Sequence, residues 1–255
     1  MRMPPDSGGN RPPINVKLTI SYNGSYFHGW QIQKNAQSVQ GILSGVIQKV
    51  SGGEPVNLLG AGRTDTGVHA IGQVANFVTA RPYPARKWIS ALNALLPPEI
   101  AVRKVEFVSP AFHARYSALK KTYLYLIGNE KSPFTYNREW FYARPLNLAR
   151  MKRALALLKG KKDFASFAAS ATESESMTCN LMSCSVSKDK NGFKFLFTAD
   201  RFLTHMVRNL VGTVVEAGLG NVAPAKMKTI LAARDRKKAG PTAPPEGLYL
   251  LKVYY

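Results

Sequence analysis

One succession of apolar patterns runs through this chain twice. Val16, Leu18, Ile20 and Tyr22 alternate with Lys17, Thr19 and Ser21, the period-two signature of a strand, and Asn23-Gly24 breaks it. A helix follows, with Ser38 at its N-cap, Val39, Ile42, Leu43, Val46, Ile47 and Val50 along one face, and Gly52-Gly53 to stop it. Strands are expected over 56–60 and 72–79, a helix from Pro84 to about 95, and a strand over 100–108. The second round reads alike. It has a strand over 122–127, then a helix capped by Asn147 with Leu148, Met151, Leu155 and Leu158 on one face, stopped by Gly160. Strands over 181–187 and 193–199, a helix over 202–217 ended by Gly218, a short helix opened by Pro224 and a strand over 247–254 complete it. Each half spells β-α-β-β-α-β, the split βαβ or ferredoxin-like unit. The expectation is an α+β fold with halves at 14–112 and 113–255. The halves would pair edge to edge in one mostly antiparallel sheet, with helices on one face and a basic cleft on the other.

Charge says what such a cleft is for. The formal net charge is +20, from 35 Lys and Arg against 15 Asp and Glu. So lopsided a balance costs self-repulsion, and a polyanionic partner is the usual reason to carry it. Nucleic acid is the favoured partner. No basic amphipathic helix and no apolar run approaching the ~20 residues of a span point to a membrane. Cys179 and Cys184 are spaced unlike a zinc knuckle or a redox pair, and His28, His69, His113 and His205 are scattered, so neither a disulfide framework nor a metal site is expected. The opening residues, Met1 to Pro13, carry Pro, Gly, Asp and Arg without an apolar stretch. They read as a flexible arm, not a signal peptide, and the expected compartment is the cytoplasm. Residues 170–176, rich in Ser, Thr and Glu, read as a mobile loop.

Three clusters join aromatic to basic residues: Tyr22 to Gln31, Phe112 to Tyr123, and Phe202 to Asn209. Splayed RNA bases stack on aromatics while Arg and Lys hold phosphates. Each cluster also has a plain structural use, the aromatics as core caps, Arg208 as a snorkelling surface residue and Lys120-Lys121 as solvated charge. The segment Gly62-Arg63-Thr64-Asp65-Thr66-Gly67-Val68-His69-Ala70 is the most pointed feature. It sets one carboxylate in a tight connection between two expected strands, at a sheet edge. Asp two residues before Gly is ordinary turn chemistry. Alternatively, Asp65 is a nucleophile or base kept ionised by the adjacent Arg63.

From about Ile14 to Tyr255 these residues resemble the TruA-type tRNA pseudouridine synthases. The blocks that carry the resemblance are 22–33, 61–70, 91–97, 112–125, 202–218, and the ending Gly240-Pro241-Thr242-Ala243 with Gly247-Leu248-Tyr249-Leu250. Asn23, Pro245 and the stretch 178–181 depart from the usual pattern. The resemblance implies isomerisation of uridine to pseudouridine in the tRNA anticodon stem-loop, at positions 38, 39 and 40, without cofactor or metal, by a homodimer. It further implies roles for single residues. Asp65 would be the catalytic carboxylate, Tyr123 would stack on the target base, and Arg208 would pair with Asp65. Arg63 would support the flipped nucleotide or its phosphate, and Leu248 would form an apolar wall under the uracil. A carboxylate suits the reaction because it stabilises or traps an oxocarbenium-like sugar. A non-catalytic RNA-binding protein, and a synthase acting on another RNA, are the rival readings.

Overall fold

In the computed structural model, the described residues are 12–170, 172 and 175–255. The expectations for 1–11, and for the part of the 170–176 loop at 171, 173 and 174, lie outside them. The chain forms, in order, β1 (Ile14–Tyr22), α1 (Val39–Val50), β2 (Leu59–Gly60), β3 (His69–Thr79), α2 (Ala85–Leu95) and β4 (Ile100–Val108). It continues through β5 (Lys120–Gly128), β6 (Trp140–Phe141), α3 (Leu148–Ala156), β7 (Gly160–Asp163), β8 (Thr178–Asp189) and β9 (Gly192–Ala199). Helices α4 (Met206–Leu219) and α5 (Lys226–Ala233) precede β10 (Leu248–Tyr254).

The ten strands lie in one sheet, in the order β4-β1-β3-β10-β5-β9-β8-β7, with β2 on β3 and β6 on β5. Within it one strand order occurs twice, β4-β1-β3-β2 and β10-β5-β9-β8, both antiparallel. This is the repeat read from the apolar spacing. The joint between the repeats is parallel: His69 faces Tyr249 and Ala70 faces Leu250.

The joint lies past the Gly60 end of β2: Gly60 faces Ala75, so β2 does not cover the start of β3. The side-chain amide of Gln40 in α1 donates to the Leu58 carbonyl at 2.9 Å, immediately before β2. The expected strand over 56–60 is only its last two residues. Beyond β2 the edge of β3 is taken by β10, which extends β3 back to His69, three residues earlier than the spacing suggests. Glycine is required at 72, where a Cβ would stand 2.5 Å from the Leu251 carbonyl oxygen. The caps follow the sequence more closely. Ser38 accepts from the Gly41 N–H at 3.2 Å and Asn147 from the Arg150 N–H at 3.0 Å. Helix α3 ends at Ala156, and Gly160 opens β7 instead of stopping the helix.

The core is continuous across the joint. Trp30, Phe77, Trp88, Tyr125, Phe164, Phe167, Phe195 and Phe197 are all fully buried. Each such ring contributes on the order of 2–3 kcal/mol of transfer free energy, so sheet and helices act as one rigid support. Replacing Gly72 with Ala should push β10 off β3. We expect Gly72→Ala to cost about 1–3 kcal/mol, read as a lower urea midpoint at unchanged slope.

Candidate active site

The loop 61–68 feeds directly into β3 at the joint between repeats, at the middle of the sheet and not at its outer edge as the sequence suggested. It is tied down along its length. Ala61 N–H donates to Val74 O at 2.7 Å, the Gln73 amide to Gly62 O at 2.9 Å, and Trp30 N–H to Thr64 O at 3.1 Å. The Thr64 hydroxyl shares a 2.8 Å hydrogen bond with the buried Tyr22 hydroxyl. The Asp65 carbonyl accepts from Val68 N–H at 3.1 Å and closes the turn. Gly67, at φ 79°, packs against the ring of Pro245. Thus the backbone makes the turn, and the carboxylate is left for something else.

Its partners are basic side chains from the other repeat. Arg208 Nη1 lies 3.3 Å and His205 Nε2 3.4 Å from Asp65 Oδ2. Arg208 is only 14% exposed, against 31% for Asp65, so the pair sits at the mouth of the site, not free in solvent. Arg208 Nε also donates to the Ala243 carbonyl at 2.8 Å, while Ala243 N–H donates back to Arg208 O at 3.1 Å. The guanidinium is thereby fixed from two sides. The segment around Pro241 reaches this position because Gly212 has no side chain: a Cβ there would stand 1.8 Å from Pro241 O.

The expected helix over 202–217 begins only at Met206, with Gly220 as its C-cap. His205 is the reason, since its φ of 60° is left-handed and cannot continue an α-helix. A non-glycine residue there costs on the order of 1–2 kcal/mol, and such strain gathers at working sites. The shift of boundary sends Phe202 edge-on against Tyr123, centroids 4.9 Å apart, and leaves Arg208 in the first turn of α4. A helix terminus therefore takes part in the site.

Tyr123 is 9% exposed; burial, and then the charges of Tyr22 and Asp65, push its hydroxyl far above the ordinary tyrosine range. It stays protonated at any working pH, a hydrogen-bond donor and an aromatic face. Leu248 opens β10, buried opposite Tyr125, whose hydroxyl donates to Pro244 O at 2.7 Å. Arg63 does not pair with Asp65. It is exposed, with no hydrogen bond or ion pair among the described residues. The structure thus brings together Asp65, Tyr123 and Arg208, with Arg63 on the outer rim and Leu248 in the wall of β10.

The three aromatic clusters divide. In the first, Tyr22, Phe27 and Trp30 are core, while Tyr26 and His28 are exposed. In the second, Tyr116 is 77% exposed beneath Arg115, whose guanidinium lies 5.7 Å from the ring centroid. The third builds the site itself. His205, and the buried Tyr22–Thr64–Gln73 support, had no sequence assignment. No group of three or more His, Cys, Asp or Glu that could hold a metal occurs among the described residues, and no helix of theirs is long and apolar enough to cross a membrane.

The carboxylate–guanidinium pair thus stands at the joint of a duplicated ferredoxin-like sheet, and comparison with known proteins gives the family. A family model described as tRNA pseudouridine synthase matches residues 18–117 and 154–255. The chain is 45% identical over 243 residues to a tRNA pseudouridine synthase A of Thermoanaerobacter sp. (strain X514), covering 94% of this chain and 99% of the relative. It is 42% identical over 243 residues to the protein of that name from Acetivibrio thermocellus, with the same coverage. The protein of that name from Bacillus subtilis (strain 168) is 41% identical over 247 residues, 95% of this chain and 99% of its own. The chain belongs to the tRNA pseudouridine synthase family.

The joint carries a pH-sensitive contact. His69 Nδ1 accepts from Gly24 N–H at 3.0 Å, so the proton rests on Nε2, which donates to Glu246 O at 3.1 Å, and the ring stacks on Tyr249 at 4.5 Å. Burial holds its pKa below the ordinary 6.5. The unfolded chain then binds a proton the folded one refuses, so this stabilisation is full above pH ~6.5 and is lost as pH falls through the folded value. Thermal melts should show the midpoint dropping between about pH 7 and pH 5, with a smaller drop in His69→Gln.

Proposed function

We propose that this isomerase converts uridine to pseudouridine in the anticodon stem-loop of tRNA, at positions 38, 39 and 40, with Asp65 as the catalytic carboxylate. The observation that carries this reading is the Asp65 carboxylate, held 3.3 Å from Arg208 at the joint of the two repeats and left free of its own turn. In the reaction the bond from N1 to C1′ breaks, the uracil turns, C5 bonds to C1′, and the proton of C5 is exchanged for one on N1. Asp65 serves the sugar in this sequence, countering positive charge at C1′ or trapping it as an ester.

The other residues have roles that follow from where they stand. Arg208, fixed by Ala243, holds Asp65 in one orientation and supplies the counter-charge. Tyr123, kept rigid by Phe202, offers a face and a hydroxyl to the base. Leu248 gives an apolar wall, and the exposed Arg63 is available to the flipped nucleotide or its phosphate. The halves 14–112 and 113–255 each supply one side of the site, Asp65 and Arg63 from the first, the rest from the second. A homodimer with tRNA across both subunits, in the cytoplasm, completes the reading; a fully active monomer in light scattering at working concentration would remove the dimer from it.

The direct test is a pseudouridine map of unmodified tRNA by carbodiimide labelling and primer extension. Wild type should mark positions 38 to 40. Asp65→Asn should leave no marks while binding tRNA within about threefold of wild type, because the change removes charge and leaves shape. Arg208→Lys keeps a cation but loses the two-sided anchor, and kcat should fall about 10²-fold or more with little change in KM. Marks left by Asp65→Asn would overturn the assignment of the carboxylate; marks elsewhere, or on another RNA only, would overturn the substrate.

A further inference from the structure

Lys121 stands two residues before Tyr123 on β5, so both side chains share one face of the strand, about 6.6 Å apart along it. Its ammonium comes within 3.4 Å of the point where a side chain on Gly62 would begin, three residues ahead of Asp65. The sequence allowed it to be a solvated charge. In the fold it is partly buried, donates to no oxygen and pairs with no carboxylate among the described residues. The charges that act on it are both positive, Arg115 from the turn after β4 and Arg201 from the segment between β9 and α4. Both arginines are exposed, and Arg201 lies two residues beyond Ala199, which faces Lys121 in the β5–β9 ladder. Burial, and then those two guanidiniums, push the pKa of Lys121 down to about 8.

An ammonium withdrawn from water and set among like charges is unfavourable in the free protein. One anion seated beside Lys121 would supply the counter-charge that this ammonium lacks among the described residues. A phosphodiester fits best, being small, singly charged and rich in acceptors, and a lysine ammonium serves it as a point charge. We propose that Lys121, Arg115 and Arg201 form a seat for one phosphate of the RNA backbone beside the uridine presented to Asp65. The seat presupposes RNA substrate in this site, as proposed above, and adds the group that grips the backbone there. It fixes the strand next to the catalytic loop while Tyr123, one step along the same face, meets the base.

The test is a scan of anticodon stem-loop RNAs, each with one neutral methylphosphonate linkage near position 39, bound to wild type, Lys121→Met, Arg115→Gln and Arg201→Gln. Wild type should lose about tenfold in affinity at one particular linkage, as expected for a charge-assisted contact. Lys121→Met should bind the natural RNA about tenfold more weakly and be indifferent to that same linkage, with the slope of log K against log salt reduced by about one. The two arginine variants, changed at exposed positions that burden folding little, should blunt the response at that linkage. An identical linkage response in wild type and all three variants overturns the seat, and so does an unchanged salt slope in Lys121→Met. Pseudouridine formation by wild type on the unmodified RNA is measured alongside. Its absence with the linkage response intact counts against the catalytic reading alone; its presence with no such response counts against the seat alone.

Discussion

Everything at the candidate site depends on the short parallel pairing of β3 with β10. In a free-standing ferredoxin-like unit the edge of the third strand is covered by the second. Here β2 ends at Gly60, opposite Ala75, and the start of β3 at His69 and Ala70 is paired by a strand of the other repeat. A four-stranded sheet with an open edge thereby becomes half of a larger one. Because the Asp65 loop enters β3 at that same end, the pairing carries the carboxylate toward Arg208 and His205, which belong to the partner repeat. The buried His69, stacked on Tyr249 and bonded to Gly24 and Glu246, ties together loop, entering strand and incoming strand.

Electrostatically, a carboxylate at this place is expensive for a protein that binds phosphates. With +20 overall, Asp65 is a local inversion of sign, and the fold answers it with one guanidinium held by a carbonyl and one imidazole held by a left-handed turn. The guanidinium is not a flexible surface charge. That distinguishes it from the bulk of the lysines, and it is why substitution at Arg208 should act on the chemical step more than on binding.

Most of the fold was legible because its elements carry strong local signals: period-two alternation in β1, capping residues Ser38 and Asn147, glycines after α1. Errors gathered where tertiary contacts decide. The strand at 56–60 kept only its last two residues, with Gln40 bonded to the Leu58 carbonyl just before them, and the helix at 202–217 started late because His205 turns left-handed. No periodicity encodes either. Asp65, Tyr123 and Arg208 were visible as motif residues and do come together. The pairing of Asp65 with Arg208 and not with neighbouring Arg63 is a property of the assembled sheet, since sequence adjacency says little about which way two side chains in a turn point. His205 and Lys121 acquire meaning only once β5, the Asp65 loop and α4 are packed together.

The joint also has a consequence in time. On the ribosome, β3 is complete at Thr79, while the strand that pairs with its first residues begins at Leu248. At ~5–20 residues per second that is an interval on the order of ten to thirty seconds. Throughout it the start of β3, next to the Asp65 loop, lacks its β10 neighbour. The joint that carries the candidate site is therefore a late product of synthesis, completed only when β10 has emerged.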